Sequence, residues 1–287
     1  FYQTQTATKT LAQMCTLWLD ESKPQIKHST YVKYYNIIYN HIIPSIGKYK
    51  INFLDTSLIR RFADEKLTAG KLNACGGLSP KTVKDILSVL RLVIIYSNNI
   101  GIACNCRLDS INIKSGDKNI EVLSKSQQDK LTSYLVNNFN NTSLGILICL
   151  YTGIRIGEIC ALKFDDISIV DKTVHIRKTM QRVQNFAPLK ETKTDVIIST
   201  PKSKSSVRDI PMPEFLIAAI TKNNMYVPKA YLLTGELHSY IEPRTLENRF
   251  KRCICSCGIA NVSFHTLRHP YVKLKLKILS AYFSHTF

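Results

Sequence analysis

A chain of 287 residues with 39 Lys and Arg against 21 Asp and Glu, a formal net charge of +18, is suited to a polyanionic partner, and nucleic acid is the first candidate. A hydrophobic content of 45% excludes an intrinsically disordered chain, and the length suits two domains that each bury a core. The lysines are spread over the whole chain and gather in no single amphipathic helix, which argues against a membrane-surface role.

The chain opens on Phe1 instead of methionine, which predicts a fragment or a processed chain, and residues 1–8 read as a tail. From Lys9 to about Ser97 the apolar period is helical. Leu11, Met14, Cys15, Trp18 and Leu19 recur at steps of three and four and form one stripe. A second helix is expected to begin at Ser29-Thr30, to carry Tyr31, Tyr34, Tyr35, Ile38 and His41, and to stop at Pro44 and Gly47. Asp55-Thr56-Ser57 opens a third helix through Phe62. Ser79-Pro80 opens a fourth that holds Val83, Ile86, Leu87, Val89, Leu90, Val93 and Ile94. These helices imply a bundle over residues 9–104. Lys23, Lys27, His28, Lys33, Lys81 and Lys84 fall at helix starts or on polar faces, where a phosphate would meet side-chain charge and the positive helix end together. Any one of these lysines taken alone also reads as a solvated face. The tyrosines at helical spacing read as core. Residues 105–118 lack periodicity and read as an interdomain linker.

Residues 119–287 form the second expected domain. Ser124-Lys125-Ser126-Gln127 is an N-cap pattern for a helix to Leu135, followed by a buried helix through Tyr151. The apolar run at 144–151 is far short of the ~20 residues that span a bilayer. Thr152-Gly153 breaks the chain, so that Arg155 begins a new helix and projects into a cleft, with Glu158 one turn on as its brace. Leu162 and Phe164 are expected to continue that helix until Asp165-Asp166 ends it. Stretches 173–183, 196–198 and 207–210 are expected strands of one small antiparallel sheet, with 201–206 as a hairpin tip that presents Lys202 and Lys204. Glu242-Pro243-Arg244 opens a helix with Leu246, Phe250 and Cys253 on its apolar side, and Arg244, Arg249, Lys251 and Arg252 are candidate phosphate contacts. His265 and Arg268, three residues apart, share one helical face. Beyond them, the alternation over 270–278 favours a strand.

Nine cysteines invite a disulfide or zinc reading, and the spacing supports neither. Cys15, Cys75, Cys149 and Cys160 lie in apolar or mixed segments and are expected to be small buried hydrophobes. Cys104/Cys106 and Cys253/Cys255/Cys257 lack the paired spacing of a zinc site. An odd count, with no signal peptide, predicts a reducing cytoplasm.

Three distant stretches carry the chemistry: 152–158 (Thr-Gly-Ile-Arg-Ile-Gly-Glu), 202–208 (Lys-Ser-Lys-Ser-Ser-Val-Arg) and 265–269 (His-Thr-Leu-Arg-His). Two arginine forks each able to grip two oxygens suit the charge that develops on a phosphodiester during transfer. These motifs in this order, with Thr10-Leu11-Ala12-Gln13 and Gly77-Leu78-Ser79-Pro80-Lys81-Thr82-Val83 in the first region, resemble the tyrosine recombinases, the integrase family of phages and conjugative transposons.

The resemblance implies a mainly α chain with a small antiparallel β-sheet: a helical core-binding domain that closes on DNA, then an α+β catalytic domain. It implies a site-specific recombinase of a mobile element that cuts and rejoins double-stranded DNA through a 3′-phosphotyrosyl link, without metal or other cofactor, as four protomers on two duplexes. In that scheme Arg155 and Arg268 hold the phosphate, His265 assists proton transfer from the tyrosine, and Lys204 protonates the leaving 5′-oxygen, with Lys202 its nearest rival. His285 would be the last phosphate-site histidine. The family nucleophile follows that histidine by several residues, so on this alignment it is expected to be missing. The catalytic domain is therefore expected to be truncated or atypical. Tyr282 is the remaining candidate, and Tyr271 lies too near Arg268. The alternatives are an inactive integrase that only binds DNA, and a type IB topoisomerase-like nicking and closing enzyme.

Overall fold

Local capping decides where the helices begin. Thr10 accepts the Gln13 amide at 3.3 Å while the Gln13 side chain takes the Thr10 amide at 2.9 Å, and this reciprocal box starts α1, Leu11–Ser22. The computed structural model describes residues 9–73, 75–114, 122–186, 192–201, 204–259 and 262–268, with the backbone alone at 204. The chain divides into two units, Phe1–Lys118 and Asn119–Phe287.

In the first unit α2 spans His28–Ile37, one residue earlier than its Ser29-Thr30 signal. It does not stop at Pro44. A π-helical turn, Ile38–Ile42, carries the chain into α3, Ile43–Ile46, with Pro44 in its first turn. The wider turn tolerates a ring that has no amide hydrogen to give. Asp55 caps the Leu58 amide at 2.7 Å to start α4, Thr56–Ala69, which runs two turns beyond the expected Phe62. Ser79 caps the Thr82 amide at 3.2 Å to start α5, Pro80–Asn99. The stripe Val83, Ile86, Leu90 and Val93 buries α5 against α1, α2 and α4. Tyr31 is buried, as its spacing predicts, while Tyr34 and Tyr35 are half-buried. The segment read as a linker begins against this unit: the Arg107 amide donates to Thr56 Oγ1 at 3.1 Å, Arg91 pairs with Asp109, and Leu108 and Ile113 are buried.

The second unit opens with a second reciprocal box at Ser124 and Gln127, starting α6, Lys125–Asn137. Helix α7, Asn141–Thr152, is apolar nearly all round and lies in the core. Helix α8, Ile156–Ala161, is shorter than expected. Leu162 and Phe164 leave the helix because their backbone pairs elsewhere: Leu232 donates to the Leu162 carbonyl at 2.9 Å, and Phe164 donates to the Ala230 carbonyl at 3.0 Å.

The expected single sheet is two sheets. Strands β1 (Ile167–Ser168), β2 (Thr173–Ile176) and β5 (Arg208–Pro211) form one, in the order β1-β2-β5. Strands β3 (Thr179–Gln184) and β4 (Thr194–Ser199) form the other, and all pairs are antiparallel. Strands β4 and β5 thus pair with different partners and not with each other, so they do not form the expected hairpin; Lys202 and Ser203 between them lie outside the described residues. One ladder ends at Ile176 opposite Arg208 and the other begins at Thr179 opposite Ser199, so the change of partner falls at Arg177-Lys178. Helices α9 (Glu214–Lys222) and α10 (Pro243–Ser256) follow the sheets, the latter opening at Pro243 as the sequence predicts.

Cys15, Cys149 and Cys160 are buried; Cys75 is exposed, contrary to expectation, because it lies in the turn between α4 and α5 and not on a helix face. Among the described residues no helix is long and apolar enough to cross a membrane.

Candidate active site

The Thr-Gly-Ile-Arg-Ile-Gly-Glu stretch works as one device. Gly153 closes α7 in the left-handed region, φ +66°, where a side chain would be strained. Arg155 is then the N-cap of α8. Gly157 lies against β3: a Cβ there would stand 2.6 Å from the Met180 carbonyl oxygen and 2.7 Å from Thr179 Oγ1, so only glycine lets α8 approach this strand. Glu158 reaches back from the first turn, accepting the Arg155 amide at 2.8 Å and its Nη1 at 2.7 Å.

The far end of the chain reaches the same place. Phe264 is buried edge-on against Phe250 of α10, ring centroids 5.1 Å apart, and this anchors the short 3₁₀ turn Phe264–Leu267. That turn exposes His265 and leaves Arg268 half-buried. Arg155, His265 and Arg268 line one open cavity of about 760 Å³, together with Gly157, Thr179, Gln181, Arg182, Glu242 and Arg244. Residues more than a hundred positions apart thus converge on one space large enough for a sugar-phosphate group.

The charges around it are unequal. Burial pushes the Glu158 carboxyl up, but Arg208, Arg155 and the Arg155 amide outweigh that and hold it below the usual carboxylate range. Burial, then the neighbouring Arg155, lower the Arg268 guanidinium from its ordinary value, while Glu158 works in the opposite direction. At the mouth, Arg182 Nε and Nη2 donate to Glu242, at 2.6 and 2.5 Å, which ties β3 to the start of α10. Among the described residues no cluster of His, Cys, Asp or Glu side chains could hold a metal ion.

Two family models match the chain. One, described as "Phage integrase, N-terminal SAM-like domain", covers residues 10–67; the other, "Phage integrase family", covers residues 121–272. The chain belongs to the phage integrase family. Integrases of this kind are tyrosine recombinases, and the chain is 26% identical to a "Tyrosine recombinase XerC-like" of Caldanaerobacter subterraneus subsp. tengcongensis, over 91% of its own length and 71% of the relative's. Its fold is similar to that of the Tn1549 transposon integrase in complex with a circular intermediate DNA, at a TM-score of 0.71 and 17% identity, covering 92% of this chain and 85% of that one. It is also similar to a lambda integrase tetramer bound to a Holliday junction, at a TM-score of 0.64 and 15% identity, covering 96% and 77%. The integrase fold, mainly helical with small antiparallel sheets, is the one read from the sequence.

The remaining candidate residues of this integrase-family chain fall into three groups. Lys204 begins the 3₁₀ turn Lys204–Ser206; Lys202, Tyr271, Tyr282 and His285 lie outside the described residues. Lys23, Lys27, Lys33, Lys81 and Lys84 are exposed on the first unit, with Lys33 paired to Asp85 at 3.0 Å and Lys23 over the Tyr31 ring. Arg244 stands at the cavity with its side chain 77% exposed beside Glu247, whereas Arg249 turns to Thr142 Oγ1 at 2.8 Å and joins α10 to α7. Sequence reasoning missed the role of Arg208, whose two Nη atoms grip Glu158 at 3.1 and 2.9 Å. The signal was an arginine opening a run of alternating strand residues, where an apolar or neutral side chain is the ordinary choice.

Proposed function

We propose that this chain is a site-specific DNA recombinase of a mobile genetic element, acting on double-stranded DNA in the cytoplasm and assembling as a homotetramer on two duplexes. The observation that carries the reading is the convergence of Arg155, His265 and Arg268 on one cavity. The two guanidiniums bind the non-bridging oxygens of the scissile phosphate and stabilise the charge that builds there. A tyrosine hydroxyl attacks phosphorus with His265 assisting removal of its proton, the bond to the 5′-oxygen breaks, and Lys204 delivers a proton to that oxygen. The 3′-phosphotyrosyl link keeps the energy of the broken ester, so rejoining needs no nucleotide. Lys23, Lys27, Lys33, Lys81, Lys84, Lys202, Arg244 and Arg249 contribute phosphate contacts along the duplex.

Covalent trapping tests this. The chain is incubated with nicked DNA that carries a candidate attachment site, and a protein–DNA adduct that survives denaturation is sought and mapped. An adduct on Tyr282 or Tyr271 establishes the recombinase and its nucleophile. Salt-sensitive binding with no adduct favours the second reading, a DNA-binding member of the family that does not cut.

A further inference from the structure

Glu158 lies almost wholly inside the protein, its side chain 1% exposed, and every acceptor position of its carboxylate is used. Oε1 accepts from Arg155 Nη1 at 2.7 Å and Arg208 Nη1 at 3.1 Å; Oε2 accepts from the Arg155 amide at 2.8 Å and Arg208 Nη2 at 2.9 Å. Arg155 therefore faces two claims, one from this carboxylate and one from any anion in the cavity. A guanidinium that alone balances a buried carboxylate has little charge left for a phosphate. With Arg208 present, two cations share one anion, and the Arg155–Glu158–Arg208 trio keeps a net positive charge.

Arg208 is held for this task from several sides. It opens β5 opposite Ile176, and Arg177 Nη1 donates to its carbonyl at 3.1 Å. Its own Nη1 also donates to the Ser206 carbonyl at 2.9 Å, at the end of the turn that Lys204 begins. Among the described residues that line the cavity, Arg155 and Arg268 are present and Arg208 is not. It acts through its neighbours.

We propose that Arg208 is a positioning residue that neutralises Glu158, leaves Arg155 available to the phosphate, and ties the Lys204–Ser206 turn to the same carboxylate. This rests on the phosphodiester reading of the cavity. The consequence is conditional on charge: losing Arg208 matters while Glu158 is an anion and matters little once Glu158 is neutral.

The test is a double-mutant cycle read by binding of inorganic sulfate, a stable dianion, at constant ionic strength, followed through the ring signals of His265 in the full chain. Arg208→Gln is expected to weaken sulfate binding by about tenfold with Glu158 present and by less than about twofold in the Glu158→Gln background. Arg208→Lys, which keeps the charge and is the safer variant for folding, is expected to stay within about threefold of the unmodified chain. Equal losses from Arg208→Gln in both backgrounds, or a folded Lys variant weakened tenfold, would overturn the role of Arg208 and leave the phosphodiester reading standing. If the unmodified chain shows no sulfate response at His265, the reading of the cavity fails and this inference fails with it.

Discussion

In the helical unit the cations stand outward: Lys23, Lys27, Lys33, Lys81 and Lys84 are exposed on helix ends and faces, over a core that is almost wholly apolar. In the second unit the decisive charges turn inward, with Glu158 buried between Arg155 and Arg208 and Arg268 half-buried beside them. Outward charge contributes little to folding, because solvent screens it. Inward charge joins folding to chemistry, because the same hydrogen bonds that satisfy a buried carboxylate also aim the arginine at the cavity. Lys66 is the exception in the first unit, buried and held by Ser45 Oγ at 2.7 Å, and it binds α4 to α3 without facing any cavity described above.

The contrast is most sharply broken at Arg155. Arg155→Ala is expected to slow adduct formation by about 10²–10³-fold while DNA affinity falls far less. Trapping rates set beside equilibrium binding check this, and equal losses in both would reduce Arg155 to a phosphate anchor. Next comes Glu158→Ala, which strands Arg208 and is expected to destabilise the second unit by ~3–5 kcal/mol, measured by urea unfolding followed within that unit. Gly157→Ala forces a methyl against the Met180 carbonyl and is expected to cost about 1–3 kcal/mol, with a loss of activity larger than its loss of stability.

In the first unit, replacing the outward lysines by alanine is expected to leave the melting temperature unchanged. The slope of log affinity against log salt should shrink by about 0.9 for each lysine that meets a phosphate. A fall in stability instead would show that these lysines hold the bundle.

The smallest effect separates the units by pH. Burial, with Lys66 nearby, holds the His41 ring below its ordinary 6.5, so the folded state binds a proton later than the unfolded one. The stability that His41 contributes is present above pH 6.5 and is lost as the pH falls below it. Glu158 is likewise lowered, from an ordinary 4.5, so its contribution is kept above that value and lost only under more acid conditions. Hydrogen exchange resolved by unit is expected to show the first unit loosening at a higher pH than the second.

What the sequence made legible follows from the range of the interactions. Helix starts at Asp55, Ser79 and Ser124 are settled by hydrogen bonds that span three residues, so a local reading finds them. The two sheets are not local. The periodicity of 173–183 gives strand character but cannot announce that pairing changes partner at Arg177-Lys178. Leu162 and Phe164 fit a helix face equally well, and only Leu232 and Ala230, far along the chain, pair with them where α8 ends, Leu162 in extended backbone and Phe164 at the start of a 3₁₀ turn. The same distance explains the site. Arg155, His265 and Arg268 were visible because their motifs are short and distinctive, whereas Arg208 gains its meaning from a carboxylate fifty residues earlier.

The break in the β ladder has an evolutionary side. Strand pairing closes at Ile176–Arg208 and reopens at Thr179–Ser199, so the register on each side is fixed without reference to what lies between. Selection on strand pairing and selection on the arginine pocket meet in Arg208, which pairs opposite Ile176, grips Glu158 and donates to the Ser206 carbonyl at 2.9 Å, so the Lys204–Ser206 turn cannot drift independently of the pocket.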